Sequence, residues 1–333
     1  MPQQSRHARK PINGSRYQDD MACKKADLHL HSHYSYDVIN LPELSPRSLY
    51  DKAVAMGMGY FTLTDHDTLK GIEALRAELE REYGDSPPIP LINGIEIKVK
   101  DPAVGHTIHI NVLGLDRRQM GQLARRRRSL EAFLDYCNEQ DLYHALNHPF
   151  WFERGESASL KTLSQIIARF PLIELNAGRI PQLNLLTMQM ARMHGRHLVA
   201  ASDSHTGQVG KAYTAAPGDT PEEFLRNVRT GMSQAVPSDF SFREFMHEIR
   251  ETMDLVFVRQ SAFQPKRTFL KQTPVARRIA RTALGSEVLM RPKPLKIGLK
   301  AALGVIAYGP AFAFIMQQRM MMRRLGHLEP SGV

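Results

Sequence analysis

An α/β barrel is the fold this sequence predicts, on two observations. From about residue 26 to 235, short strand-like runs alternate with helical patterns, as they do when strands pair mainly in parallel through helical crossovers. His29, His66, Glu96, His148 and Asp203 then fall within or at the ends of successive strand candidates. Metal-type side chains spread over so many strand ends need a fold in which those ends converge. A barrel rim gathers all of them, whereas an open sheet gathers them only at one crevice.

Taken in order, residues 26–31 read as the first strand. Ser45 and Pro46 supply an N-cap and a proline at the first helical position. Leu49, Ala53 and Val54 give that helix an apolar face, and Gly57 ends it. The next strand, 60–64, runs straight into Asp65-His66-Asp67. Further strands are expected at 91–99, 107–113, 144–147, 172–175 and 197–202, with helices over 118–140, 160–169 and 181–194. His144 reads as a strand-packing residue, and Phe150-Trp151-Phe152 as core or loop packing with the mouth of a pocket as the alternative. Beyond Pro237 a helix over 240–254 and a short strand at 255–258 are expected, and from residue 261 the chain turns basic. Residues 301–316 form an uncharged, mostly apolar run flanked by Lys293, Lys296, Lys300, Arg319, Arg323 and Arg324. That run is shorter than the ~20 residues of a spanning helix, and Pro310 interrupts it. A helical tail docked on the barrel is one expectation; attachment of 261–333 to an anionic membrane surface is the other.

Composition sets the class. With 42% apolar and 23% charged residues, the 333-residue chain is neither disordered nor a wholesale membrane protein. Two cysteines, not in a C-x-x-C pair, exclude a disulfide framework and fit a reducing, cytoplasmic setting. The net charge of +10 is uneven: six basic against two acidic residues in 1–25, 25 against 30 in 26–260, and 13 against two in 261–333. The expected organisation is therefore a flexible basic extension (1–25), a catalytic domain (26–236) and a basic, partly apolar helical region (237–333). The N-terminal 25 residues lack an apolar signal core, so a cytoplasmic protein is expected, peripheral on the inner face of the membrane if the tail binds there.

The chemistry rests on paired spacings. His29 and His31 are two apart on a predicted strand, so both side chains leave one face and two imidazoles can reach one metal ion. Asp203 and His205 repeat that spacing. One such pair arises by chance. Two pairs, together with Thr64-Asp65-His66-Asp67, Asn93-Gly94-Ile95-Glu96 and Asn147-His148-Pro149, make a strong signal.

These segments, with Asp27-Leu28-His29-Leu30-His31-Ser32 and Ser202-Asp203-Ser204-His205, resemble the PHP (polymerase and histidinol phosphatase) superfamily in order and spacing over about 26–235. The resemblance implies a distorted (β/α)7 TIM-like barrel, a site for up to three metal ions, and hydrolysis of phosphomonoesters or phosphodiesters. Carried over residue by residue, it implies that His29, His31 and Asp203 hold the first metal. Glu96 would bridge it to a second, completed by His109 and His148. Asp37, His66 and His205 would hold the third. His106 competes with His109; His109 is preferred because it lies inside a strand pattern, whereas His106 follows Gly105 in a turn.

Mixed imidazole and carboxylate donors suit Mn, Fe or Zn better than Ca or Mg, so two or three such divalent ions are expected, activating water for attack on phosphorus. Asp65 is expected to orient a ligand imidazole. Arg179 and Lys211, both after strand ends, are candidates for gripping the substrate phosphate. The leading expectation is a phosphomonoesterase acting on a small metabolite or nucleotide. An exonuclease whose basic ends grip nucleic acid is the alternative, and a non-catalytic metal-binding module tethered to a membrane or partner is the third reading.

Overall fold

The structure is a computed structural model that describes residues 23–38, 40–153 and 155–238, together with 243, 246, 316, 318–320 and 322. Six strands form one curled sheet in the order β2 (Phe61–Leu63), β3 (Leu91–Lys100), β4 (Thr107–Leu113), β5 (Tyr143–Leu146), β6 (Leu172–Asn176) and β7 (His197–Ala201). A smaller sheet joins β1 (Lys24–Ala26), β8 (Tyr213–Ala216) and β9 (Gln234–Val236), with β8 in the middle.

The expected first strand, 26–31, is regular only at its start. Beyond β1 its backbone instead spans the two edges of the curled sheet. Thr64 N–H donates to Leu30 O (2.8 Å) on one side; Asp203 N–H donates to His29 O (2.9 Å) and His31 N–H to Ser204 O (3.2 Å) on the other. This segment therefore brings the edge after β2 next to the edge after β7, as a barrel requires.

The pairing differs from the mainly parallel expectation. β2 and β3 are parallel, as are β5, β6 and β7, but β3–β4 and β4–β5 are antiparallel. The physical reason is the link after Lys100: only residues 101–106 separate β3 from β4, too few for the helical crossover a parallel pair needs. The helix expected over 118–140 is two helices, α3 (Arg117–Arg126) and α4 (Leu130–Glu139). Ser129 breaks it, its Oγ accepting from Ala132 N–H as the N-cap of α4. Arg127 and Arg128 thus lie in a turn.

The first helix, α1 (Pro46–Ala55), starts where Ser45 Oγ accepts from Ser48 N–H (3.2 Å), as its sequence predicts. Helices α2 (Lys70–Tyr83), α5 (Leu160–Ile167), α6 (Pro181–Met193) and α7 (Pro221–Arg229) follow between residues 70 and 229; α2 and α7, with β8 and β9, are elements the sequence did not predict. Among the described residues no helix is long and apolar enough to cross a membrane. Of the helix expected over 240–254 only residues 243 and 246 are described, both helical; the strand expected at 255–258 and residues 301–315 of the apolar run lie outside the described residues.

The interior is layered. One end is plugged by apolar side chains at the start of β2, β3, β5 and β6 and at the end of the antiparallel β4, including Tyr60, Ile92, Leu113, Tyr143 and Leu172, closed off by Phe224 and Val228 of α7. Each large side chain so buried stabilises the fold by about 1.5–3 kcal/mol. At the other end the inward positions turn polar. Alternation on β3 places Gly94, Glu96 and Lys98 on one face, and the register sets Glu96 opposite Asn111 and Lys98 opposite His109. Gly94 has to be glycine: a Cβ there would lie 2.4 Å from Thr62 Oγ1 and 2.7 Å from Leu63 O.

Candidate metal centre

All nine candidate ligands converge on the polar end of the barrel. His29 and His31 lie on the edge-bridging segment, Asp37 in the turn that follows it, His66 just after β2, Glu96 within β3, His109 within β4, His148 just after β5, and Asp203 and His205 just after β7. The two short-spaced histidines face each other, His29 Nε2 and His31 Nε2 being 3.1 Å apart. Glu96 Oε2 is 3.2 Å from His29 Nε2 and 3.3 Å from His31 Nε2; Asp203 Oδ1 is 3.3 and 3.4 Å from the same atoms. Metal bonds of about 2.0–2.2 Å impose neighbouring-ligand separations of this size.

Two further groups adjoin this one. His31, Asp37, His66 and His205 bring ligand atoms within 4.8 Å of one another. Asp37 Oδ2 lies 3.1 Å from His66 Nε2 and 3.0 Å from His205 Nε2, and Ser35 Oγ–H donates to Asp37 Oδ1 at 2.7 Å. His29, Glu96 and His148 make the last group. His109 Nδ1 approaches Glu96 Oε1 at 3.0 Å, and His148 Nε2 approaches the same oxygen at 3.4 Å. His106, by contrast, packs edge-on against Phe152.

The electrostatics test whether cations fit. Burial opposes protonation of His29, but Asp203, Glu174 and Glu96 outweigh it and raise the imidazole pKa well above its ordinary value. At His31 burial is likewise overcome, by Asp203 and Glu96, and the pKa rises to about 10. Burial also disfavours the carboxylates, yet His66 and His29 hold Glu96 well below the usual carboxylate range, and His29, His31 and His148 do the same for Asp203. Burial wins at His66 and His148, whose pKa values are lowered. A site that draws protons onto its imidazoles to balance buried carboxylates is one that divalent cations can neutralise in place of those protons. The donor set and its spacing fit metal ions.

A supporting layer escaped the sequence reading. Glu174 Oε1 lies 2.7 Å from His29 Nδ1, and its Oε2 accepts from His148 N–H at 2.9 Å. Asn147 Nδ2–H donates to Glu96 Oε1 (3.0 Å), and Asn176 Nδ2–H to Asp203 Oδ2 (3.1 Å). Asp65 accepts from Ser32 N–H and Ser32 Oγ–H, both at 2.7 Å, and so holds the turn after His31. His148 (φ +26°) and Asp203 (φ +52°) adopt left-handed backbone conformations, strain of the kind that collects at functional sites.

Arg179 is buried at the rim, with Nη2 3.9 Å from Asp203 Oδ2 and its guanidinium 4.5 Å from the centre of the Trp151 ring. Its Nε is buried without a hydrogen-bond partner. Lys211 is half-buried beside Gly210, whose N–H donates to Asp27 Oδ2 at 2.9 Å. Lys98, to which the sequence assigns no role, stands near the candidate ligands: Nζ is 2.5 Å from Glu153 Oε1, which lies 3.5 Å from His109 Nε2.

Known proteins resemble this chain in part. It is 41% identical over 95 residues to a 5′-3′ exoribonuclease of Haemophilus influenzae, which covers 28% of this chain and 30% of that protein. It is 37% identical over 90 residues to the 5′-3′ exoribonuclease Rnm of Salmonella typhimurium, which covers 27% of each. The matched stretch is thus less than a third of the length of these curated relatives. Among solved structures, PsfC from Pseudomonas syringae is similar with a TM-score of 0.50 at 18% identity, over 71% of this chain and all of that one, a likeness of fold alone. The PHP domain family matches residues 27–213, a span that begins just ahead of His29 and ends just beyond His205; the chain belongs to the PHP domain family.

Proposed function

We propose that this metal-dependent hydrolase of phosphate esters removes nucleotides from the 5′ end of RNA. The observation that carries the substrate class is the local identity to two 5′-3′ exoribonucleases. It moves the preferred substrate away from the small phosphomonoester that the sequence favours. His29, His31, Asp203 and Glu96 would hold one ion, His148 and His109 with Glu96 a second, and Asp37, His66 and His205 a third. Bound Mn, Fe or Zn supplies Lewis acidity, which lowers the pKa of water and offsets charge developing on phosphorus oxygens.

The chain's own residues do the rest. Glu174 orients the His29 ring, and the Asn147 and Asn176 amides fix the carboxylate faces of Glu96 and Asp203. Arg179 binds a phosphate oxygen: burial disfavours its charge, Asp203 offsets that only from 3.9 Å, and its Nε is left to donate. Lys98 and Lys211 contribute positive charge nearby.

Full-length protein reconstituted with metal tests this on a 5′-labelled RNA oligomer and on a generic phosphomonoester. The expected result is loss of nucleotides from the 5′ end, abolished in Asp203→Asn. Hydrolysis of the monoester with the RNA left intact would return the small-metabolite reading. Activity no greater than Asp203→Asn on both would remove the catalytic reading altogether.

A further inference from the structure

The loop that carries Arg179 is held from outside the domain. Residues 177–180 follow β6, and their inner supports are local. Asn176 Oδ1 accepts from Gly178 N–H (2.8 Å), and Asn184 exchanges two hydrogen bonds with the Asn176 backbone (3.0 and 3.1 Å). The outer support is Gln318, far along the chain in the basic C-terminal region. Its Oε1 accepts from Ile180 N–H at 2.9 Å, and its Nε2 donates to Gly178 O at 3.4 Å. One carboxamide therefore binds the backbone immediately before and immediately after Arg179. The two partners also fix which end of the amide is oxygen, since the reverse orientation would set donor against donor.

Gln318 is only 3% exposed, which is unusual for a glutamine in a basic tail. Residues 318–320 and 322 are helical, and Met322, one turn on, packs against the main core while Arg319 and Met320 face solvent. The helix is thus docked by the face that carries the carboxamide. Burying a rotamer-rich polar side chain costs side-chain entropy, and here the return is two hydrogen bonds to a loop whose one charged side chain is Arg179.

We propose that Gln318 is a positioning residue for Arg179, so that a helix lying well beyond the matched span 27–213 completes the rim of the metal centre. The consequence for catalysis rests on Arg179 gripping phosphate; the positioning does not.

The protein carries its own probe. Trp151 is its single tryptophan, and the Arg179 guanidinium lies over its ring. Steady-state emission and acrylamide quenching of Trp151 are compared, in the full chain, for wild type, Arg179→Met, Gln318→Ala, Gln318→Glu and the Arg179→Met/Gln318→Ala double variant. Gln318→Ala is expected to move both signals in the same direction as Arg179→Met, and the double variant to coincide with Arg179→Met. Gln318→Glu, which keeps the acceptor for Ile180 but loses the donor to Gly178, is expected to fall between wild type and Gln318→Ala. In parallel, kcat/KM should fall about tenfold in Gln318→Ala with bound metal unchanged, and the losses from residues 179 and 318 should not multiply.

A wild-type Trp151 signal in Gln318→Ala overturns the positioning role. So does an unchanged signal in Arg179→Met, because the guanidinium is then not held over the ring in solution. Flat activity with a shifted Trp151 signal leaves the positioning intact and removes only the phosphate-gripping role.

Discussion

Glu174 binds the His29 ring with one oxygen and the His148 amide with the other, so a single carboxylate sets a ligand ring and the backbone of a second candidate ligand. Replacing it by glutamine keeps the shape but weakens the charge-assisted bond to His29. Metal affinity of Glu174→Gln should fall about 10–100-fold, read by competition with a chromophoric chelator; wild-type affinity would refute the orienting role. His144 gives a pH prediction. Its Nδ1–H donates to Leu142 O at 2.9 Å, its Nε2 is buried without a hydrogen-bond partner, and burial, reinforced by Arg229, lowers its pKa. With the folded pKa below the ordinary 6.5, the unfolded chain takes up a proton first as pH falls. Stability is therefore lost on the acid side of about 6.5 and is unaffected well above it. His144→Leu should be less stable than wild type at pH 7.5 by about 1 kcal/mol, and the gap in urea unfolding should narrow by pH 5.5; a constant gap would contradict this. The convergence of the candidate ligands was legible because H-x-H and D-x-H spacings are local. Glu174 was not, since its partner is 145 positions away. The available signal was a carboxylate inside the apolar run Leu172-Ile173-Glu174-Leu175.

Among the elements, β3 does most to position the site, because its alternation delivers Gly94, Glu96 and Lys98 to one face in register with β4. Gly94 sits where the strands come closest to the Thr62 side chain. A methyl group there meets Thr62 Oγ1, Leu63 O and Leu113 Cδ2, at 2.4, 2.7 and 2.7 Å, and one of these is backbone that cannot swing away. Gly94→Ala should therefore lower stability by about 1–3 kcal/mol in urea unfolding and reduce bound metal by displacing Glu96, two residues on. An unchanged midpoint with full metal content would show that the strand gives way at no cost. The alternation of strands and helices made the class readable, but a mainly parallel expectation does not anticipate the β3–β4 hairpin. The six-residue link 101–106 is itself too short for a crossover, so the hairpin is written in its length. The split between α3 and α4 was also written in the sequence, as Ser129 after four arginines. What could not be read is the edge-bridging segment 28–31, because its pairing depends on hydrogen bonds to residues 64 and 203–204 that no local pattern announces.

Across the whole molecule, the candidate ligands are spread over the structure in a way that couples metal binding to global stability. They come from the edge-bridging segment, from β3 and β4, and from the turns after β2, β5 and β7, so ions bound there would tie together the segments that close the curled sheet. Asp37, Glu96 and Asp203 bring three carboxylates into this region, Glu96 almost fully buried, and without cations protonated imidazoles and the Arg179 guanidinium balance them. The unfolded chain has no such convergence. Ions that bind the folded protein at a hundred times their Kd therefore stabilise it by about 2.7 kcal/mol. At about 2–4 °C per kcal/mol for a domain of this size, chelation should lower the melting temperature by about 5–10 °C. Mn, Fe or Zn should restore it, and Ca or Mg should not, because the imidazole-rich donor set disfavours hard cations. Arg179→Met, which leaves every candidate ligand in place, should keep the full metal-dependent shift, whereas Asp203→Asn should lose most of it. Equal melting with and without chelator, after metal analysis confirms that loading and removal were complete, would mean that the donors come together without cations contributing to the fold.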